Sequence, residues 1–297
     1  MRNLLVNLLV FLPASIFAQS PPATDIYLLN ISPKNDVPVV EAIQNVTDRD
    51  GYDNQPFFLP GGDAFLYTSM RDGQTDIFKY EIASGGTVQM THTKESEYSP
   101  TPMPDGKHFS VVRVEFADSL VQRLWQFPLS GGEPSLLLAN ENPVGYHAWG
   151  DAQTVGLFVL GESITFRLAA LATGGSEIIA SDIGRSLHKI PGEHAISFTQ
   201  NVPIADDSTK RKKLINKLSL DTGKITTIGD ILFEEDDYAW LDEKHILAGS
   251  ESALYQLEIG GDAWELILNL SAEGVKKITR IGVSPNGKYL ALVGNRE

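Results

Sequence analysis

FFLPGGDAFLYTS (Phe57–Ser69) and TDIFKYEIASGGTVQMT (Thr75–Thr91) lie five residues apart. Each is a β-rich run, a tight turn built on Pro or Gly, and a second β-rich run. That pattern reads as a hairpin, so the pair supplies four antiparallel strands, labelled a, b, c and d. The a–b phrase returns as TPMPDGKHFSVVRV (Thr101–Val114), AWGDAQTVGLFVL (Ala148–Leu160), KIPGEHAISFT (Lys189–Thr199), AWLDEKHILAGS (Ala239–Ser250) and GVSPNGKYLALV (Gly282–Val293). The c–d phrase returns as PLSGGEPSLLL, ALATGGSEII, SLDTGKITTI and LEIGGDAWELIL, with turns at Gly131, Gly174, Gly223 and Gly260.

One register position runs Phe58, Pro102, Trp149, Ile190, Trp240, Val283, at intervals of 44, 47, 41, 50 and 43 residues. A four-stranded propeller blade takes about 40–45 residues. The chain opens with a c–d pair (Ile26–Leu29, Val39–Val46) and closes with an a–b pair (Thr279–Val283, Tyr289–Val293). Pairing the two halves completes a sixth blade and removes the free sheet edges that invite aggregation. The expected fold is therefore all-β: a six-bladed β-propeller of four-stranded antiparallel blades, closed by N-terminal c and d strands against C-terminal a and b strands. No long 3.6-residue stripe competes with it; only Ser271–Lys277 suggests a helical turn.

The N-terminus reads as an address. Arg2, the apolar run Leu4–Leu12 and Ala18 at a cleavage position form a secretory signal-peptide pattern over residues 1–18. The apolar run is too short to span a bilayer. The single propeller domain is then expected over residues 19–297, exported to the periplasm or beyond, monomeric and without a membrane span. The 297 residues include no Cys, so disulfides, thiolate metal sites and cysteine nucleophiles are excluded. A net charge of −14 argues against nucleic-acid binding, which needs a basic footprint.

PDGK (Pro104–Lys107), SPNGKYLALV (Ser284–Val293) and TDIF (Thr75–Phe78) resemble the TolB-type WD-like propeller repeat of bacterial envelope proteins. The resemblance runs over Asp25–Asn295 and is weakest between Ile164 and Gly261. It covers the propeller only, without the α/β domain that precedes it in TolB. It implies a bacterial envelope setting and a protein partner.

No nucleophile elbow, zinc helix, Walker loop or G-x-G-x-x-G loop is present. The connections from d of one blade to a of the next should gather around one channel mouth, on the face shared with the b–c connections. They hold Asp48, Asp50, Asp53, Glu95, Glu97, Glu141, Asp182, Glu234, Glu235, Asp236, Asp237 and Glu273, against few bases, chiefly Arg49, Lys94 and Arg185. An acidic mouth would attract cations or basic surfaces. Asp53, Glu95, Glu97, Glu234, Glu235, Asp236 and Asp237 are the candidate partner-binding residues of a non-catalytic protein- or peptide-binding module that needs no cofactor.

The alternative is a Ca²⁺-dependent propeller hydrolase or lactonase. Its metal would sit on Asp53, Glu97 and Asp237, with His147 and His188 moving protons. That reading requires these residues to converge in the channel. A carbohydrate binder is a weaker third reading, resting on Tyr52, Tyr98, Tyr146 and Tyr238, which precede or open strand a in four repeats. His108, His194 and His245 recur just before strand b and read as a turn position. Trp149 and Trp240 read as wedges between blades. Lys210–Lys213 is expected in a solvated b–c loop.

Overall fold

The computed structural model describes residues 21–34, 37–116, 121–204, 207–231, 233, 237–261 and 263–295. The expected signal peptide, Met1–Ala18, lies outside them. Six four-stranded antiparallel sheets form a ring. Strands β1 (Thr24–Lys34) and β2 (Val37–Asn45) are held for the last blade. Blade one is β3 (Asp53–Phe58), β4 (Ala64–Arg71), β5 (Gln74–Glu81) and β6 (Gly86–Gln89). Blade two is β7 (Ser96–Pro102), β8 (His108–Glu115), β9 (Val121–Pro128) and β10 (Ser135–Leu136). Blade three is β11 (Val144–Trp149), β12 (Thr154–Val159), β13 (Thr165–Ala170) and β14 (Gly175–Ser181). Blade four is β15 (Ile183–Lys189), β16 (Ala195–Ile204), β17 (Asp207–Ser219) and β18 (Ile225–Ile231). Blade five is β19 (Tyr238–Trp240), β20 (His245–Ser250), β21 (Ala253–Glu258) and β22 (Glu265–Asn269). Blade six is ordered β2-β1-β24-β23, with β23 (Lys277–Val283) and β24 (Tyr289–Asn295) from the far end of the chain. The closure is the expected one: β1 pairs with β24 from Thr24↔Asn295 to Asn30↔Tyr289.

The turns follow from their residues. At the a–b hairpins Asp105, Asp151 and Asp242 each turn a carboxylate oxygen back onto two backbone N–H groups, two and three residues on. This side-chain cap fixes the turn locally. At the c–d hairpins Gly85, Gly174 and Gly223 hold φ of 67°, 66° and 68°, a left-handed conformation that costs glycine nothing. His108 and His245 reach back to Asp105 and Asp242, so their recurrence is a feature of the turn.

The core lies between blades. Phe58, Phe65, Tyr67 and Phe78 of blade one pack on Ile26, Leu28, Ala291 and Val293 of blade six. Trp149 of blade three packs with Val112 and Leu124 of blade two. Both tryptophans also hydrogen-bond across the seam. Trp149 Nε1 donates to Ser110 Oγ of β8, and Trp240 Nε1 to Ser197 Oγ of β16, each at 2.9 Å. The wedge is thus apolar in body and anchored at its polar tip.

Two local expectations need revision. Strand d of blade two shrinks to Ser135–Leu136, because Gly132 and Pro134 sit where a longer strand would have to pair, and proline offers no N–H to the ladder. The Lys210–Lys213 run lies in a strand, not a loop. Asn201 pairs with Lys213, Val202 with Lys212 and Pro203 with Arg211, so β16 and β17 continue past the blade as a two-stranded ribbon. The helical turn expected over Ser271–Lys277 is a 3-10 turn at Ser271–Glu273.

Candidate functional site at the channel mouth

The innermost strands β23, β3, β7, β11, β15 and β19 touch in sequence around the channel. β3, β7, β11, β15 and β23 each break register near their N-terminal end. In β3 and β7 the break puts Gln55 and Ser99 in the left-handed region, at φ 57° and 54°. Gln55 Oε1 then accepts from Thr68 Oγ1 and from the Ser99 N–H of the next blade, both at 2.8 Å.

Six side chains come together at the mouth, one from each blade, five of them near these breaks and Asp237 just before β19. They are Tyr52, Tyr98, Tyr146, Arg185, Asp237 and Arg280. Arg280 donates from Nη1 to Asp237 Oδ1 at 3.2 Å and from Nη2 to the Tyr146 hydroxyl at 3.0 Å. Blade three, which carries Tyr146, stands opposite blade six, so the Arg280 side chain spans the channel. Its guanidinium carbon also lies 5.2 Å from the Tyr146 ring centroid. Arg185 Nη2 donates to the Thr279 carbonyl at 3.0 Å, from blade four to blade six. Tyr52 is near enough to feel Arg280, Tyr146, Tyr98 and Arg185. Burial pushes its hydroxyl well above the usual tyrosine range, and the two arginines offset only part of that.

The expected acidic mouth divides in three. Asp53 and Glu97 turn inward, and Asp237 joins the Arg280 cluster. Asp53, fully buried, lies between Arg49 Nη2 and Nε, each at 2.9 Å. Glu97, also fully buried, accepts from Thr93 Oγ1 at 2.5 Å and lies 3.6 Å from Arg113 Nε. Burial pushes the Glu97 carboxyl up to about 7, against the pull of Thr93 and Arg113. Asp237 accepts from Arg280, from Ser186 Oγ and from the Ile281 N–H at 3.0 Å. Glu141 is likewise engaged, by Arg167 and Ser176. Glu95 is half-buried and accepts from the Phe116 N–H at 2.8 Å. Asp48, Asp50, Asp182 and Glu273 are exposed. Glu234, Glu235 and Asp236 lie outside the described residues.

The metal set and the two histidines do not meet. Asp53, Glu97 and Asp237 belong to blades one, two and five, each with its own partners. Among the described residues no three His, Asp or Glu side chains are grouped to hold a metal ion. His147 Nε2 lies 2.6 Å from Ser110 Oγ, in the seam between blades two and three, and burial pushes its imidazole down to about 3. His188 packs edge-on to Tyr238, with 4.7 Å between ring centroids. Burial, then the charge of Arg280, pushes it down to about 4. Both stay neutral at ordinary pH. Tyr238, fully buried, repeats the His147 arrangement: its hydroxyl donates to Ser197 Oγ at 2.6 Å.

Arg280 was not singled out in the sequence, although a signal for it exists. Counting back three residues from Trp149, Trp240 and Val283 gives Tyr146, Asp237 and Arg280, the three groups that hydrogen-bond across the mouth.

No family model matches the chain, and no curated protein matches it in sequence. Solved structures do. A protein described as TolB from Agrobacterium tumefaciens is 13% identical over 93% of this chain and 99% of its own, with a TM-score of 0.71. TolB from Acinetobacter baumannii is 11% identical over 92% of this chain and 65% of its own, with a TM-score of 0.59. An oligogalacturonate lyase from Vibrio parahaemolyticus is 13% identical over 89% of this chain and 97% of its own, with a TM-score of 0.54. At these identities the likeness is one of fold. The chain is a six-bladed propeller, similar in fold to these TolB structures. No helix among the described residues is long and apolar enough to cross a membrane.

Proposed function

We propose that this protein is an exported, non-catalytic binding module of the cell envelope that acts as a monomer and takes a protein or peptide segment at its channel mouth. One observation carries the reading: six side chains, one from each blade, converge there, and five of the six are Tyr or Arg. These types dominate the energetics of protein interfaces, because each combines large contact area with directional polar groups. The fold shared with TolB proteins supports the reading by analogy, since a propeller alone fixes no function. Export rests on the Arg2, Leu4–Leu12 and Ala18 pattern. The carboxylates left at the surface, with Glu95 beside them, would form the rim of the interface; Asp53 and Glu97 would lie beneath it.

The test is photo-cross-linking in intact cells from a benzophenone amino acid at Tyr98, compared with the same group at Leu266 on the outer strand of blade five. A discrete adduct from position 98 and none from 266 is expected. Equal or absent adducts overturn the proposal.

A further inference from the structure

We infer that Asn286 is a site of spontaneous covalent modification: attack by the Gly287 nitrogen turns its amide into a carboxylate and loosens the seam between blades six and one. The chain holds a single Asn–Gly pair, Asn286–Gly287. It stands in the turn from β23 to β24, where Asn286 is exposed to water. Glycine has no Cβ to hinder the approach of its nitrogen to the amide before it, and asparagine is among the thermolabile residue types. In the first step the Gly287 nitrogen gives up its proton and bonds to Asn286 Cγ. Ammonia leaves with the old Cγ–N bond, and a succinimide ring remains. One water then opens the ring. Opening at Cγ leaves aspartate. Opening at the Asn286 backbone carbonyl leaves isoaspartate, whose main chain is longer by one carbon.

A second turn in the same chain shows what the change removes. PNGK at Pro285–Lys288 matches PDGK at Pro104–Lys107 in blade two. Gly287 and Gly106 hold φ of 67° and 66°, and their N–H groups donate to the Ser284 and Met103 carbonyls. Asn286 Oδ1 accepts from the Lys288 N–H, as Asp105 Oδ1 does from the Lys107 N–H. The turn itself therefore accommodates aspartate. The two residues differ in the other arm of the side chain. Asp105 Oδ2 turns back to His108 Nδ1 within its own turn. Asn286 Nδ2 instead crosses to blade one, donating to the Gly62 carbonyl at 3.2 Å and the Gly61 carbonyl at 3.4 Å. A methyl group on Gly62 would stand 2.6 Å from Asn286 Cγ, so the amide is seated against that turn. A carboxylate in its place has no proton to offer and would face two carbonyl oxygens. The same contacts slow the reaction. Ser284 holds the Gly287 N–H and blade one holds the amide, and both must let go before the nitrogen and Cγ can bond.

The test is incubation of the full mature chain in mildly alkaline buffer, followed by tryptic digestion, mass spectrometry and enzymatic methylation of isoaspartate. Cleavage after Arg280 and Lys288 releases Ile281–Lys288, in which Asn286 carries the one side-chain amide. That peptide is expected to accumulate aspartate and isoaspartate forms, severalfold more slowly in the folded chain than in the same segment as a free peptide. The converted chain, and Asn286→Asp made directly, should each melt at least about 2 °C below the starting protein, the shift that loss of one hydrogen bond gives in a domain of this size. Amide hydrogen exchange should quicken in the turn between β3 and β4, 224 residues away in sequence, which damage confined to the modified turn would not produce. No conversion at Asn286, conversion as fast in the folded chain as in the peptide, an Asn286→Asp chain as stable as wild type, or exchange quickened only around Asn286 overturns the inference.

Discussion

Glu97 and His147 respond to pH in opposite directions. The Glu97 carboxyl rises from 4.5 to about 7 on folding. Between those values the folded chain holds a proton that the unfolded chain has released. Stability from this group is therefore complete below pH 4.5 and is lost as pH rises through 7, by on the order of 3 kcal/mol. His147 and His188 fall from 6.5 to about 3 and about 4. Here the unfolded chain binds the extra proton, so their contribution is complete above pH 6.5 and lost on acidification. Urea unfolding from pH 4.5 to 8 should show the wild type losing stability relative to Glu97→Gln between pH 4.5 and about 7, with the difference constant above that. An unchanged slope would mean that Glu97 is ionised in the fold. These behaviours are not legible from sequence: Glu97 stands in a run of polar residues, and only the packing of Thr93, Arg113 and Asp76 around it shows that water is excluded.

The seams between blades make a prediction at the scale of elements. Ser110 gathers His147 and Trp149 from the next blade, and Ser197 gathers Tyr238 and Trp240 in the same way. Ser110→Ala takes a hydrogen-bond partner from His147 and Trp149, and Ser197→Ala takes one from Tyr238 and Trp240, at about 1–3 kcal/mol per buried group. Denaturant titration should show losses of that size. The double variant should show their sum, since the serines lie in separate seams and share no partner. A repeat scan of the sequence finds the strands, because turn chemistry and apolar alternation are local. It places Trp149 and Trp240 as wedges for the same reason. It does not find Ser110 or Ser197, whose partners come 37 to 43 residues later. Nor does it find the extended ribbon of β16 and β17: a basic run looks like a loop until the strand opposite it is known.

At the scale of the molecule, the ring explains which part of the functional reading was legible. Repeat count and the half-blades at the two ends specify six blades. The composition of the d–a connections suggested an acidic mouth, but a side chain's direction depends on which of two neighbouring blades it meets. Asp53 and Glu97 turn inward to Arg49 and Arg113, while Arg185, Arg280 and Asp237 reach the channel. With no three acidic or imidazole groups converging among the described residues, millimolar Ca²⁺ should leave the thermal midpoint of the mature chain unchanged relative to EDTA. A rise of several degrees, lost in Asp53→Asn with Glu97→Gln, would restore the metal-dependent alternative. Closure is also testable. Leu29 on β1 is fully buried among residues of blades five and six. Leu29→Ala should cost about 2–5 kcal/mol and lower the midpoint of one cooperative transition. Two separate transitions would mean that the closing blade unfolds on its own.

The pairing of Thr24 with Asn295 has a further use. Thr24 N also donates to the Gly51 carbonyl, in a connection on the mouth side of the ring. Both ends of the described fold therefore leave the ring together, on the face where the Tyr–Arg cluster opens. A peptide joined by a short flexible linker at either end would be tethered beside that cluster at a millimolar effective concentration. Ligands too weak to detect as free peptides would then register in such a fusion as a gain in thermal stability.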